Sequence, residues 1–149
     1  MTEKRWVAKL SGLLHAEDLE DGRKRRLLTP LSLTIRCGEG YTGLLEQLPL
    51  EDRVFTITVP IGFISDGASI PRPFWNILRP WGKHARAAVL HDWLYFTGEF
   101  PKETADWIFL VVMEAIGVTW WKRRTMYRAV ICFGQGDWDG HRKSTIKNW

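Results

Sequence analysis

The chain has 149 residues, of which 45% are hydrophobic and 26% charged, and its net charge is +4. These values are typical of a globular protein with a sizeable core, and the mild basic bias excludes a histone-like charge load. The longest apolar run, 107–115, is interrupted by Glu114 and is too short to span a bilayer.

Strands and turns are predicted for the first part of the chain. Residues 6–10 can form a first strand, and 27–36 mix aliphatic and β-branched residues before a Gly-rich turn at 37–40. The segment 53–59 alternates polar and apolar residues and is rich in β-branched side chains, which makes it the clearest strand.

Helices are predicted for the second part. Prolines favour a short helix over 74–78, and further helices are expected over 83–96 with a stop at Gly98, over 102–117 and over 120–133. The fold class is therefore α+β, with an N-terminal antiparallel β-sheet followed by a C-terminal bundle of three to four helices. We expect a single domain over 1–149, with a strand-rich part (1–64), a helical part (65–134) and a tail (135–149).

Cysteine and tryptophan usage adds two expectations. Cys37 and Cys132 lie far apart in apolar surroundings, which favours two buried free thiols in a reducing compartment over a disulfide. Residues 1–5 lack the apolar core of a signal peptide, so we expect synthesis in a cytoplasm. Nine tryptophans are many for this length and suggest an aromatic surface for a membrane, a glycan or a protein partner.

The chemistry of the chain is concentrated around His91. His91 and Tyr95 are four residues apart and share a face of the predicted helix, whereas Asp92 lies about 100° further round. The short connection after Gly98 returns the next helix antiparallel, so that Asp106 can meet His91 or Tyr95. A carboxylate on one imidazole nitrogen fixes the tautomer and raises the basicity of the other nitrogen. Asp92 would then be available to a hard cation.

A purely structural interpretation explains the same spacing. Tyr95 can donate a hydrogen bond to Asp106 and hold two helices together, with no catalysis involved. Both interpretations remain open on the sequence alone.

The segment 62–71 precedes this helical region and combines glycines with polar side chains. As an irregular loop, it could offer oxygens to a cation or N–H groups to an oxyanion, which makes Asp66 a candidate metal ligand. The oxyanion candidates are Ser65, Gly67 and Ser69. Alternatively, Asp66 and Ser69 cap the helix that follows.

Several separated motifs occur in the order found in one known family. They lie at 62–63, 65–72, 74–75, 87–92, 94–95, 105–106 and 108–109, with Met113 and Gly117 beyond them. Over roughly 54–134, the chain resembles the DUF1353 family of small bacteriophage and prophage proteins. The resemblance implies a phage origin and brings no activity with it.

A more distant resemblance carries a mechanism. His91-Asp92-x-x-Tyr95 followed by Ala105-Asp106-x-x-Phe109 is similar to the catalytic helices of phospholipases A2, including those in parvoviral capsids. It implies that His91 activates water, that Asp92 holds Ca²⁺, and that Asp106 and Tyr95 orient the histidine. That family's Gly-x-Gly calcium loop is absent, and Ser65-Asp66-Gly67 is at best a substitute.

Basic residues cluster in two places. Residues 23–26 are expected to form a solvated turn. A membrane or nucleic-acid contact is the candidate role of an aromatic and basic run in the last helix: Trp120, Trp121, Lys122, Arg123 and Arg124. The alternative is that this helix buries Trp121, Thr125 or Ala129 and exposes only its arginines.

Two classes of function follow. The first is a metal-assisted hydrolase that cleaves lipid or envelope esters at phage entry or lysis, with Ca²⁺ as the candidate cofactor. The second is a non-catalytic phage tail or virion component in which His91, Tyr95 and Asp106 are structural. The candidate partners are phage structural proteins or a lipid surface, with nucleic acid third, and the candidate locations are the host cytoplasm and the virion.

Overall fold

A computed structural model describes residues 6–11, 16–20, 24–37, 54–65, 84–135 and 138–140. Two small antiparallel sheets precede three helices, which confirms the predicted α+β class. The strands are β1 (Trp6–Ser11), β2 (Ala16–Asp18), β3 (Arg25–Leu27), β4 (Leu31–Cys37), β5 (Val54–Val59) and β6 (Ile64–Ser65). The helices are α1 (Ala85–Thr97), α2 (Lys102–Ala115) and α3 (Trp120–Phe133).

The first sheet has the order β1-β4-β5 and contains the strand predicted most clearly, which is β5. Alternate side chains of β4 and β5 are buried, because successive residues of a strand point to opposite faces. The register sets Leu33 opposite Ile57 and Ile35 opposite Phe55. This sheet therefore offers one apolar face to the core.

The second sheet, β2-β3-β6, was not foreseen as a separate unit. The predicted strand over 27–36 is in fact two strands, because the chain turns at 28–30 and passes from one sheet to the other. Two exposed ion pairs join β2 to β3: Arg25 Nε to Asp18 at 2.6 Å and Arg26 Nη1 to Glu17 at 2.9 Å. The described part of the predicted basic turn is therefore largely β3.

The three described helices match the sequence expectations closely. α1 ends where Gly98 adopts a left-handed conformation (φ 61°) and donates its N–H to Leu94 O, as the glycine predicts. α2 starts after Pro101, and a second left-handed glycine, Gly117 (φ 79°), follows its end. The predicted helix over 74–78 lies outside the described residues.

The core forms where the helices meet the first sheet. α2 is central, since it contacts α1, α3 and β1. Fully buried aliphatic side chains of the sheet and the helices share one cluster, including Leu33, Ile35, Leu90, Leu94 and Ile108. Among the described helices, none is long and apolar enough to cross a membrane.

One face of α3 differs from the sequence expectation. Met126 is buried, whereas Trp121 and Thr125 are exposed and Ala129 is only partly covered. The alternative in which Trp121 packs inward is therefore wrong.

Cys37 and Cys132 are both free thiols, but only Cys37 is buried, because Cys132 lies on the outer side of α3.

Candidate functional site

The site is built on the facing surfaces of α1 and α2. His91 and Tyr95 are one helical turn apart, and their ring centroids lie 4.2 Å from each other. Phe109 of α2 covers the imidazole at a centroid distance of 4.7 Å. The histidine is therefore held between two aromatic rings, and its residue is 7% exposed.

Asp106 of α2 is the acceptor at the centre of the site. Its Oδ1 lies 2.7 Å from His91 Nε2 and accepts a 2.5 Å hydrogen bond from the Tyr95 hydroxyl. The antiparallel return of α2 produces this meeting, as the short connection after Gly98 predicts. Asp106 is 2% exposed, so these bonds replace most of its hydration.

Lys102 completes the group and links it to α3. Its Nζ donates to Asp106 Oδ2 at 2.7 Å and to the Val130 carbonyl at 3.1 Å. Lys102 and Asp106 are four residues apart on α2, which brings the two charges to the same helix face. His91, Tyr95, Lys102 and Asp106 are called the His91 cluster below.

Asp106 is ionised in this setting. Burial raises the pKa of the carboxyl, but the hydrogen bonds from His91, Lys102 and Tyr95 outweigh burial and leave the pKa below its ordinary value of 3.8. The negative charge also acts on Tyr127, whose pKa is raised by burial and by the charges of Asp106 and Glu103. An ionised Asp106 can only accept hydrogen bonds.

The end of α3 closes over Tyr95. Gly134 is buried, and a Cβ at this position would lie 2.8 Å from the Tyr95 hydroxyl oxygen and 2.4 Å from the Val130 carbonyl oxygen. Trp138 packs edge-on against the Tyr95 ring at 5.3 Å. Gly134 therefore permits the close approach of α3 to the His91 cluster.

Asp92 faces a different neighbour from His91. Its Oδ2 accepts a 2.5 Å hydrogen bond from the hydroxyl of Ser65, which is 3% exposed. Ser65 belongs to β6, so its assignment to an irregular loop was wrong: β6 pairs with β3, which places Ser65 opposite Arg25. The Ser65–Asp92 bond fixes β6 against α1.

Apolar side chains lie close in sequence to both partners of the Ser65–Asp92 contact. Phe63, Trp93 and Phe96 pack ring against ring, with centroids 5.2 to 5.8 Å apart. Phe96 follows Asp92 by one helical turn and is 52% exposed, and Ile64 beside Ser65 is 43% exposed. The Asp92 side of α1 thus borders an apolar surface.

The structure brings together His91, Tyr95 and Asp106, and it sets Asp92 beside Ser65. Asp66, Gly67 and Ser69 lie outside the described residues, so their assigned roles remain predictions. Trp120 and its basic neighbours are on α3, away from the α1–α2 interface. Sequence reasoning missed Lys102 and Gly134, although the four-residue spacing of Lys102 and Asp106 was a readable signal.

The described residues do not make a metal site by themselves. Nowhere among them do three or more His, Cys, Asp or Glu side chains gather as ligands. Asp92 offers one carboxylate, and one of its oxygens already accepts a hydrogen bond from the Ser65 hydroxyl. Because Ca²⁺ takes six to eight oxygen ligands, this donor set does not fit the ion.

Comparison with known proteins places this site in a family. The model of a family described as "Protein of unknown function (DUF1353)" matches residues 42–130, more than half of the chain. The chain belongs to the DUF1353 family. The DUF1353 match includes the whole His91 cluster together with Ser65 and Asp92, whereas Gly134 and Trp138 lie beyond it.

A curated relative extends the comparison without adding an activity. An uncharacterized protein, y4jT, of Sinorhizobium fredii is 40% identical over 82 residues, which are 54% of this chain and 24% of the relative. The chain thus matches about a quarter of the relative's length. No solved structure matches the chain.

Proposed function

We propose that this DUF1353 protein is an ester hydrolase in which His91 is the general base. The observation that carries the proposal is the 2.7 Å contact between His91 Nε2 and Asp106 Oδ1. An ionised carboxylate cannot donate, so in the neutral imidazole Nε2 carries the proton. The basic nitrogen is then Nδ1.

The cluster supports the charge changes that such a reaction needs. As water attacks the ester carbonyl, Nδ1 takes a proton from the water, and the imidazolium is stabilised by the Asp106 carboxylate 2.7 Å from Nε2. The proton then passes to the departing alkoxide, which leaves an acid, an alcohol and neutral His91. Tyr95 and Lys102 hold Asp106 in place throughout.

The apolar surroundings favour a lipid-like substrate. Phe63, Ile64, Trp93 and Phe96 lie beside the Ser65–Asp92 contact, one residue along α1 from His91. An ester with long hydrocarbon chains could bury apolar surface there. A phage origin would place this activity on host envelope esters at entry or lysis.

Calcium is a separate prediction. Among the described residues, Asp92 provides too few oxygen ligands to hold the ion. Isothermal titration calorimetry with Ca²⁺ tests whether Asp66 and its neighbours complete a site. Asp92→Asn should abolish the binding heat if they do.

The hydrolase proposal is tested by screening purified protein against short-chain esters and phospholipids, with and without Ca²⁺. His91→Ala should remove the activity of the parent. His91 also packs between two rings, so a thermal melt of the variant is needed alongside. If no substrate is cleaved by the folded parent protein, the hydrolase proposal fails.

Burial favours a second candidate, a non-catalytic phage tail or virion component. The His91 side chain is 8% exposed, and the cluster joins α1, α2 and α3 through its hydrogen bonds. In this role the His91 cluster only fixes the helices. It predicts that the folded parent hydrolyses nothing, while mass spectrometry finds the protein in purified phage particles.

A further inference from the structure

The outward side of α3 carries a continuous row of aromatic, basic and aliphatic side chains. Trp120 is 63% exposed, Trp121 45% and Ile131 47%, and Arg124 and Arg128 are also exposed. Trp120 and Ile131 lie on the same side as the two arginines because 120, 124, 128 and 131 are three or four residues apart, and Trp121 joins them three residues before Arg124. They are called the α3 face below.

Packing among the described residues does not account for the α3 face. The inward side of the helix is occupied by Met126, which is 3% exposed, and by partly buried residues such as Val130. Arg123, next to the face, donates to the Val118 carbonyl at 3.1 Å. In the described part of the chain, the inner side of α3 is therefore packed, while Trp120 and Trp121 lie on the outer side.

The charge of the helix is of one sign. α3 carries Lys122, Arg123, Arg124 and Arg128, and its sequence contains no aspartate or glutamate. Two of the cations lie over the tryptophans: Arg124 Cζ is 5.6 Å from the Trp120 ring centroid, and Lys122 Nζ is 5.5 Å from that of Trp121. Basic groups and aromatic rings therefore lie next to each other on this side of α3.

We propose that the α3 face docks on an anionic lipid surface. Tryptophan favours the boundary between headgroups and acyl chains, where its ring is apolar and its N–H is wet. Arginine and lysine at the same height would meet lipid phosphates. Ile131 favours a bilayer over nucleic acid, because an aliphatic side chain inserts among acyl chains but offers no ring for a base to stack on. The docking does not depend on His91 being catalytic.

The test is sedimentation of the full chain with vesicles of phosphatidylcholine alone or mixed with phosphatidylglycerol. Binding should require the anionic lipid and should fall at 1 M salt, where the Debye length is about 3 Å. The double variant Arg124→Glu/Arg128→Glu should bind at least about thirty-fold more weakly, from about 1 kcal/mol for each basic residue. Trp120→Ala/Trp121→Ala should also weaken binding.

The matched control is Lys9→Glu/Arg36→Glu, which changes the same net charge at exposed positions of β1 and β4. This control should bind vesicles much more tightly than the α3 double variant. Equal losses in the two variants would show a net-charge effect and overturn the proposal. Absence of binding by the parent protein, or binding to labelled DNA or RNA in its place, would overturn it as well.

Discussion

Helices α2 and α3 depart from the usual distribution of side chains in opposite ways. α2 buries a charge, since Asp106 is 2% exposed, while α3 exposes a tryptophan, since Trp120 is 63% exposed. The buried charge is matched by three side-chain donors, so it is compatible with a stable fold. Among the described residues, the Trp120 ring contacts Arg124 but stays largely open to solvent, and this exposure is the observation on which the proposed lipid docking rests.

Substitutions in the two helices should therefore differ in their effect on the free energy of unfolding. Changes in the His91 cluster should lower the free energy of unfolding, because each member leaves a buried partner without its hydrogen bond. Changes on the α3 face should leave the free energy of unfolding nearly unchanged and act on binding.

The largest loss is expected for Asp106→Asn. The neutral amide cannot accept three donors as a carboxylate does, and it leaves the Lys102 ammonium, which is 14% exposed, without its counter-charge. We expect destabilisation of about 3 kcal/mol, measured by urea unfolding at pH 7. A loss below about 1 kcal/mol would show that Lys102 moves into solvent and that the cluster is not a tight unit.

The difference in the free energy of unfolding between the parent protein and Asp106→Asn should depend on pH. The folded-state pKa of Asp106 is lowered, so its stabilisation is complete above the ordinary value of 3.8 and is lost as the pH falls through the lower folded value. The stability difference between the parent and Asp106→Asn should narrow as the pH falls below 3.8. A difference that does not narrow there would contradict the lowered pKa.

Tyr95→Phe should cost less. It removes the 2.5 Å hydrogen bond to Asp106 but keeps the ring that packs against His91 and Trp138. We expect a loss of about 1 to 3 kcal/mol in urea unfolding. Combined with Asp106→Asn, the loss should be less than additive, because both changes remove the same bond. Additive losses would argue against direct coupling.

Gly134→Ala tests how closely α3 approaches the cluster. The added methyl would meet the Tyr95 hydroxyl at 2.8 Å and the Val130 carbonyl at 2.4 Å, so α3 or Tyr95 must shift. Overpacking of this kind costs about 1 to 3 kcal/mol. Gly140→Ala is the control, since a Cβ there has no atom within 4 Å. Equal thermal shifts in the two variants would contradict the close approach.

The sequence predicted the helices well because their signals are local. Gly98 ends α1 and Pro101 precedes α2, and each acts through its own backbone. The meeting of His91 with Asp106 also followed from helix periodicity and a short connection. The second sheet could not be predicted in this way, since β6 has only two residues and exists through its pairing with β3.

The missed parts of the site depend on contacts between distant segments. Lys102 was treated only as a helix start, although its four-residue spacing from Asp106 indicates an ion pair. Its hydrogen bond to Val130 O, 28 residues away, could not be predicted from the sequence. No signal in the sequence indicated the role of Gly134, because only the approach of Tyr95 shows why a side chain does not fit there. The inward packing of Trp121 was wrongly predicted for a similar reason. Which side of α3 is buried depends on its contact with α2, and the sequence of α3 alone does not show that contact.

The smallest stability change is expected on the α3 face, and it completes the contrast with the His91 cluster. Trp120→Ala/Trp121→Ala removes two large rings, but the residues are 63% and 45% exposed, so less buried contact is lost than at a core position. Surface substitutions of this kind usually change the free energy of unfolding by no more than about 0.5 kcal/mol each. A urea unfolding curve that overlays the parent, together with weaker sedimentation on anionic vesicles, would separate binding from folding. A loss as large as that of Tyr95→Phe would show instead that the tryptophans stabilise the fold, and the reason for assigning this face to an outside partner would disappear.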